Sequence, residues 1–131
     1  MRVNRGREAG VRSENRTETF SGTVWADPVL TGVPGVMVNA VFFAPGGRTY
    51  WHRHGQGQVL IVTAGHGYAQ TRVGERSPLT PGDVVFFEPG EEHWHGAGGD
   101  TYLLHTAISL GETEWLDEVE ESAYREAVGA D

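Results

Sequence analysis

From Phe20 onward the chain is written in short apolar runs separated by Gly- and Pro-bearing turns, the pattern of a protein built from short strands. Phe20 to Asp27 is the first predicted strand, closed by a turn around Thr31 to Gly35. Val36 to Ala44 is a buried strand carrying one polar residue, Asn39, which needs hydrogen bonds if it points inward. Pro45-Gly46-Gly47 turns into a strand from Arg48 to His54, and Gln58 to Ala64 follows as a strongly apolar strand. Further strands are predicted at Tyr68 to Val73, Val84 to Glu88 and Thr101 to Ser109, with turns at Gly65-His66-Gly67, Gly74-Glu75 and Pro81-Gly82-Asp83. Turns at this frequency predict an all-β antiparallel sandwich or barrel over residues 20–111.

The two ends break that pattern. Residues 1–19 hold almost nothing apolar and are expected to form a flexible arm, or a strand exchanged with a second subunit. In Glu114 to Val128 the period becomes helical: Leu116, Val119, Ala123 and Ala127 recur on one side with Trp115 beside them. Residues 112–131 are therefore expected to form a short helical tail packed on the barrel, its acidic residues facing water.

Length and composition narrow the function. At 131 residues the chain holds one domain with a real core. It has no cysteine, which removes disulfides, thiolate catalysis, zinc ribbons and iron-sulfur clusters, so any metal has nitrogen and oxygen ligands. A net charge of -8 argues against nucleic acid as a partner. No stretch is long and apolar enough for a membrane span, and no signal peptide is visible, so a cytoplasmic location is expected.

The chemistry concentrates in Trp51-His52-Arg53-His54-Gly55-Gln56-Gly57-Gln58 and Glu92-His93-Trp94-His95. A lone strand histidine is usually a hydrogen-bonded core or surface residue. Here His52 and His54 are two apart and project from one strand face, and Gly55 and Gly57 permit a tight turn that brings the Gln58 amide back toward the same point. His93 and His95 repeat the spacing downstream, so a metal site is the expected outcome. Trp51 and Trp94 alternate with the histidines and point away, toward outer packing or a subunit interface, and His66 is expected to be exposed.

These residues resemble the cupin superfamily, small β-barrels with a metal at the centre. The first cupin motif, G-x5-H-x-H-x3,4-E-x6-G, falls on Gly46, His52, His54, Gln58 and Gly65, with Gln in place of the usual Glu. The second, G-x5-P-x-G-x2-H-x3-N, falls on Gly82, Gly90 and His93, with Pro89 one place late and Ala97 in place of Asn. The strings Gly57 to Gln70 and Pro81 to Ala97 are similar to those of small single-domain bacterial cupins, a group that includes manganese-dependent hydroxynitrile lyases.

That resemblance implies a double-stranded β-helix, or jelly-roll barrel, with a His3Gln centre at His52, His54, Gln58 and His93. It implies a base at His105, and pocket-lining positions at Asn39, Val41 and Thr49. His95 shares the direction of His93 and is read as a partner of the metal ligands or a proton shuttle, with a catalytic part beside His105. Manganese or iron is the expected ion, with zinc, nickel and cobalt compatible. The implied activity is a lyase on a small hydroxy or carbonyl compound. The alternatives are an isomerase or ring-opening enzyme of unsaturated uronates, a dioxygenase, and a small-molecule-binding cupin without turnover. A uronate carboxylate would need an arginine, for which Arg48 and Arg72 are the candidates. Cupins of this length commonly form dimers or tetramers, so a homodimer or homotetramer is expected.

Overall fold

The computed structural model of the protein describes residues 1–129. Thirteen strands precede one helix: β1 Glu14–Asn15, β2 Phe20–Ser21, β3 Val24–Val33, β4 Val36–Phe43, β5 Arg48–Thr49, β6 His52–His54, β7 Gly57–Gly65, β8 Gly67–Thr71, β9 Arg76–Leu79, β10 Val84–Phe87, β11 His93–Ala97, β12 Leu103–Leu110, β13 Thr113–Trp115 and α1 Glu121–Gly129. One antiparallel sheet runs β1-β3-β4-β12-β7-β10, and a second runs β13-β6-β11-β5-β2 with β8 and β9 attached through β11. Alternate residues of both sheets turn inward. Val24, Val41, Phe43, Leu60, Val62, Phe87 and Leu103 of the first sheet fill the interior against Ala69, Leu79 and Ala97 of the second.

The first sheet is long and regular because β4, β12 and β7 are rich in β-branched and apolar residues and pair over their full lengths. The second is assembled from short pieces that bend between turns. Only Gly57 of the two turn glycines requires its identity. Its φ is 98°, and a Cβ there would lie 2.6 Å from the Phe87 carbonyl, whereas one at Gly55 would meet nothing closer than 3.6 Å.

Residues 1–19 lie along β3 of the same chain. The Glu8 N–H donates to Pro28 O and the Arg16 N–H to Val24 O, both at 2.8 Å, and the Asn4 amide donates to Val29 O at 2.6 Å. Two predicted elements differ. Thr113–Trp115, expected in the helical tail, is β13, whose Thr113 and Trp115 pair with His54 and His52. Among the described residues the helix runs over Glu121–Gly129 and buries Tyr124 and Ala127, while Ala123 is exposed. Tyr124, and not Leu116 or Ala123, carries the contact, because its hydroxyl reaches Ala97 O at 2.7 Å and its ring stacks under Arg48. Trp94 is fully buried beneath this helix, and its indole N–H donates to Gln70 at 3.0 Å. No helix among the described residues is long and apolar enough to cross a membrane.

Candidate metal centre

The register of β11 against β6 sets the centre. His93 lies directly opposite His52, so their side chains stand side by side on the inner face. Alternation adds His54 on β6 and His95 on β11. Ring centroids are 4.3 Å apart for His52 and His93, 5.1 Å for His52 and His54, and 5.3 Å for His52 and His95. One ring nitrogen from each of His52, His93 and His95 lies within 4.8 Å of the others.

Each outer nitrogen is committed. His52 Nδ1 meets Tyr50 O at 2.9 Å, His93 Nδ1 meets Glu91 O at 2.8 Å, and His54 Nδ1 meets Thr113 Oγ1 at 3.0 Å. A carbonyl accepts only, so Nδ1 carries the proton in His52 and His93, and each Nε2 keeps its lone pair for the interior. Gln58 joins them. Its Nε2 donates to Ser109 Oγ at 3.1 Å, which turns its Oε1 to 3.0 Å from His93 Nε2.

That contact is informative. A neutral His93 has one N–H, yet both its nitrogens face oxygens that only accept. Protonation does not resolve the conflict, because burial holds the His93 imidazole down to about 3. A cation between Nε2 and Oε1 resolves it, as does a rotated Gln58 amide that accepts from the Ser109 hydroxyl and donates to His93 Nε2. The buried Nε2 atoms of His54 and His95 have no hydrogen-bond partner among the described residues, as a site built for an ion requires. Burial also lowers His54 to about 4, and burial followed by the neighbouring imidazoles pushes His52 and His95 well below the usual histidine range. The donors are therefore neutral at pH 7 and fit a divalent ion without losing protons.

His105, buried on β12, stands behind this group. Its Nε2 is 2.9 Å from His95 Nδ1, its Nδ1 is unpartnered, and burial lowers it to about 4. If the His95 Nδ1–H donates to His105, the His95 Nε2 lone pair faces His52 and His93.

A cavity of about 430 Å³ opens onto His52, His54 and Gln58. Asn39 and Val41 line it, as do Ala107, Ser109 and Thr113. Thr49 does not: it is buried, and its Oγ1 accepts the His95 N–H at 3.2 Å, holding β11 in place. His93, His95 and His105 also lie outside the lining, behind His52 and His54. Ser109 was legible as the next inward position after His105 and Ala107. Glu14 and Arg16, also in the lining, come from the polar arm, where no apolar period marks which side faces in.

Residues 40–108 match the family model of the cupin domain, and the chain belongs to that family. It is 46% identical over 112 residues to a protein of Granulicella tundricola named (R)-mandelonitrile lyase, covering 81% of this chain and 86% of that one. A crystal structure of a cupin-like protein from Thermotoga maritima shares 40% identity at a TM-score of 0.86, over 95% of this chain and 99% of that one. The fold extends to the polyketide cyclase RemF of Streptomyces resistomycificus, at 18% identity and a TM-score of 0.72 over 95% and 92% of the two chains.

Proposed function

We propose that this cupin is a metal-dependent lyase of the hydroxynitrile-lyase kind, cleaving a small hydroxy compound to a carbonyl compound. The observation that carries the reading is a cluster of neutral buried imidazoles of which two, His52 and His54, line a cavity sized for a small molecule. The 46% identity to the protein named (R)-mandelonitrile lyase supports the reaction class. His52, His54, His93 and Gln58 would hold the ion, manganese or iron. With no carboxylate among these ligands, a divalent ion would supply Lewis acidity undiminished by ligand charge.

In the reaction a cyanohydrin, R–CH(OH)–CN, loses its hydroxyl proton as the carbon-carbon bond breaks, and the cyanide leaves with a proton as HCN. The chain must accept one proton and return one. His95 and His105 form the pair suited to that exchange, being neutral, 2.9 Å apart and shielded from water. Asn39 and Ser109 supply polar contacts for the bound hydroxyl or nitrile, and Val41 and Ala107 supply the apolar wall. Metal-replete protein is expected to release cyanide from mandelonitrile, and His105→Phe to lose about 100-fold or more of that rate while keeping its metal. Metal-replete wild type that releases no cyanide from aromatic or aliphatic cyanohydrins would overturn the lyase reading.

A further inference from the structure

Arg48, Arg72 and Arg16 are placed differently. Arg48 is buried and structural, its guanidinium divided among Val119 O, Gly46 O, Glu121 and the ring of Tyr124. Arg72 lies outside, stacked over Trp51 and paired with Glu92 and Asp117. Arg16 lines the cavity that opens onto the imidazoles.

Glu14 and Arg16 are the ionised side chains in that lining; the rest of the wall is apolar, hydroxyl, amide or neutral imidazole. They are two apart on the extended arm, and the Arg16 N–H bond to Val24 O ties this stretch to β3. The guanidinium is half used. Its Nη2 meets Glu14 Oε1 at 2.9 Å, but Nε is shut from water with no acceptor among the described residues. The two side chains are 35% and 48% exposed, so this ion pair is screened by solvent and leaves the guanidinium free to exchange partners. A guanidinium offers parallel N–H groups at the spacing of a carboxylate, and among the described residues Arg16 is the one cationic side chain on the cavity wall. Glu14 already balances one unit of charge and would repel a dianion, which favours a planar monoanion over a phosphate.

We infer that Arg16 is the anion-recognition residue of this cavity and that the substrate bears a carboxylate at its end remote from the imidazole cluster. The inference rests on the reading of the chain as an enzyme of small hydroxy or carbonyl compounds and adds the acid substituent. On a cyanohydrin the carboxylate belongs on the side chain, away from the bond that breaks. Glu14 holds the guanidinium when the cavity is empty and competes with the incoming acid.

Calorimetric titration of the metal-replete protein with glycolate, 3-hydroxypropanoate, 4-hydroxybutanoate and 5-hydroxypentanoate, each beside its neutral amide, tests this. For at least one length the wild type is expected to bind the acid about tenfold or more tightly than the amide, the size of one charge-assisted contact. Arg16→Gln is expected to abolish that preference, Arg16→Lys to keep part of it, and Glu14→Gln to enlarge it. Amide affinity and metal content should stay unchanged in all three. Equal binding of acid and amide by the wild type, or a preference that survives Arg16→Gln, overturns the inference. If the protein takes up no metal, the lyase reading fails by itself, and the same comparison on the metal-free protein still decides the role of Arg16.

Discussion

The metal-free protein is expected to unfold in acid well above the pH at which its carboxylates titrate, because five of its six histidines are buried. His54 and His105 are held at about 4 and His93 at about 3, with His52 and His95 also pushed far down, in every case chiefly by loss of solvent. Unfolding returns each ring to an ordinary value near 6.5. A depressed folded value means that these groups cost nothing above pH 6.5, and that stability falls as pH drops toward the folded values. Between pH 7.5 and 5.5 each ring costs about 1 to 1.5 kcal/mol, so five together cost on the order of 7 kcal/mol. That is comparable with the whole stability of a typical small domain, about 5–15 kcal/mol. The lowered carboxylates Glu8, Asp117 and Glu121 act in the same direction, but only below their ordinary values of 3.8 to 4.5. Urea unfolding of metal-free protein, followed by tryptophan fluorescence at pH 7.5, 6.5 and 5.5, reads this directly. The midpoint should collapse between the last two. A loss smaller than about 2 kcal/mol over the range would mean that the cluster takes up protons while folded, and would refute the neutral-donor argument.

Other perturbations test the frame around the centre. In Gly67→Ala the new Cβ would lie 2.1 Å from Gly96 O and 2.8 Å from a Leu103 methyl, so a loss of about 3 kcal/mol or more is expected by thermal or urea denaturation; a loss under 1 kcal/mol would show that β8 and β11 separate easily. Tyr124→Phe removes the hydroxyl bonded to the buried Ala97 carbonyl and should cost about 1–2 kcal/mol, with faster hydrogen exchange confined to α1 and β11. The outer face of the first sheet carries Trp25 opposite Phe42, and Ile61 opposite Val84, with Phe86 exposed beside them. We propose that a second copy of the chain covers this face; Ile61→Asp with Phe86→Asp should shift a dimer to monomer in sedimentation, and a wild type that is monomeric at high concentration rules it out.

Much of the barrel was legible because strand alternation, Gly turns and apolar runs are local signals. The long strands β4, β7 and β12 lie close to where the pattern predicts them. The spacing of His52, His54, His93 and His95 implied their convergence once two strands were assumed adjacent. What escaped depends on pairing between distant segments. Arg76–Leu79 contains Pro78 and a polar pair, so nothing local marks it as β9, which exists through its partner β8. Trp115 and Leu116 fit a helical period, but Trp115 pairs with His52 instead, and that contact is invisible without the fold. Arg16 sits in a segment with no apolar period, and its place in the cavity follows from the docking of the arm on β3.

His52, His54, Gln58 and His93, with His95 beside them, form the proposed metal centre. Elemental mass spectrometry on tag-free protein, wild type beside His52→Ala and His93→Ala, addresses it most directly. About one equivalent of a divalent transition metal in the wild type, lost in both variants, is the result predicted. Wild type that holds no metal after reconstitution at pH 7.5, or variants that keep it, would contradict the claim.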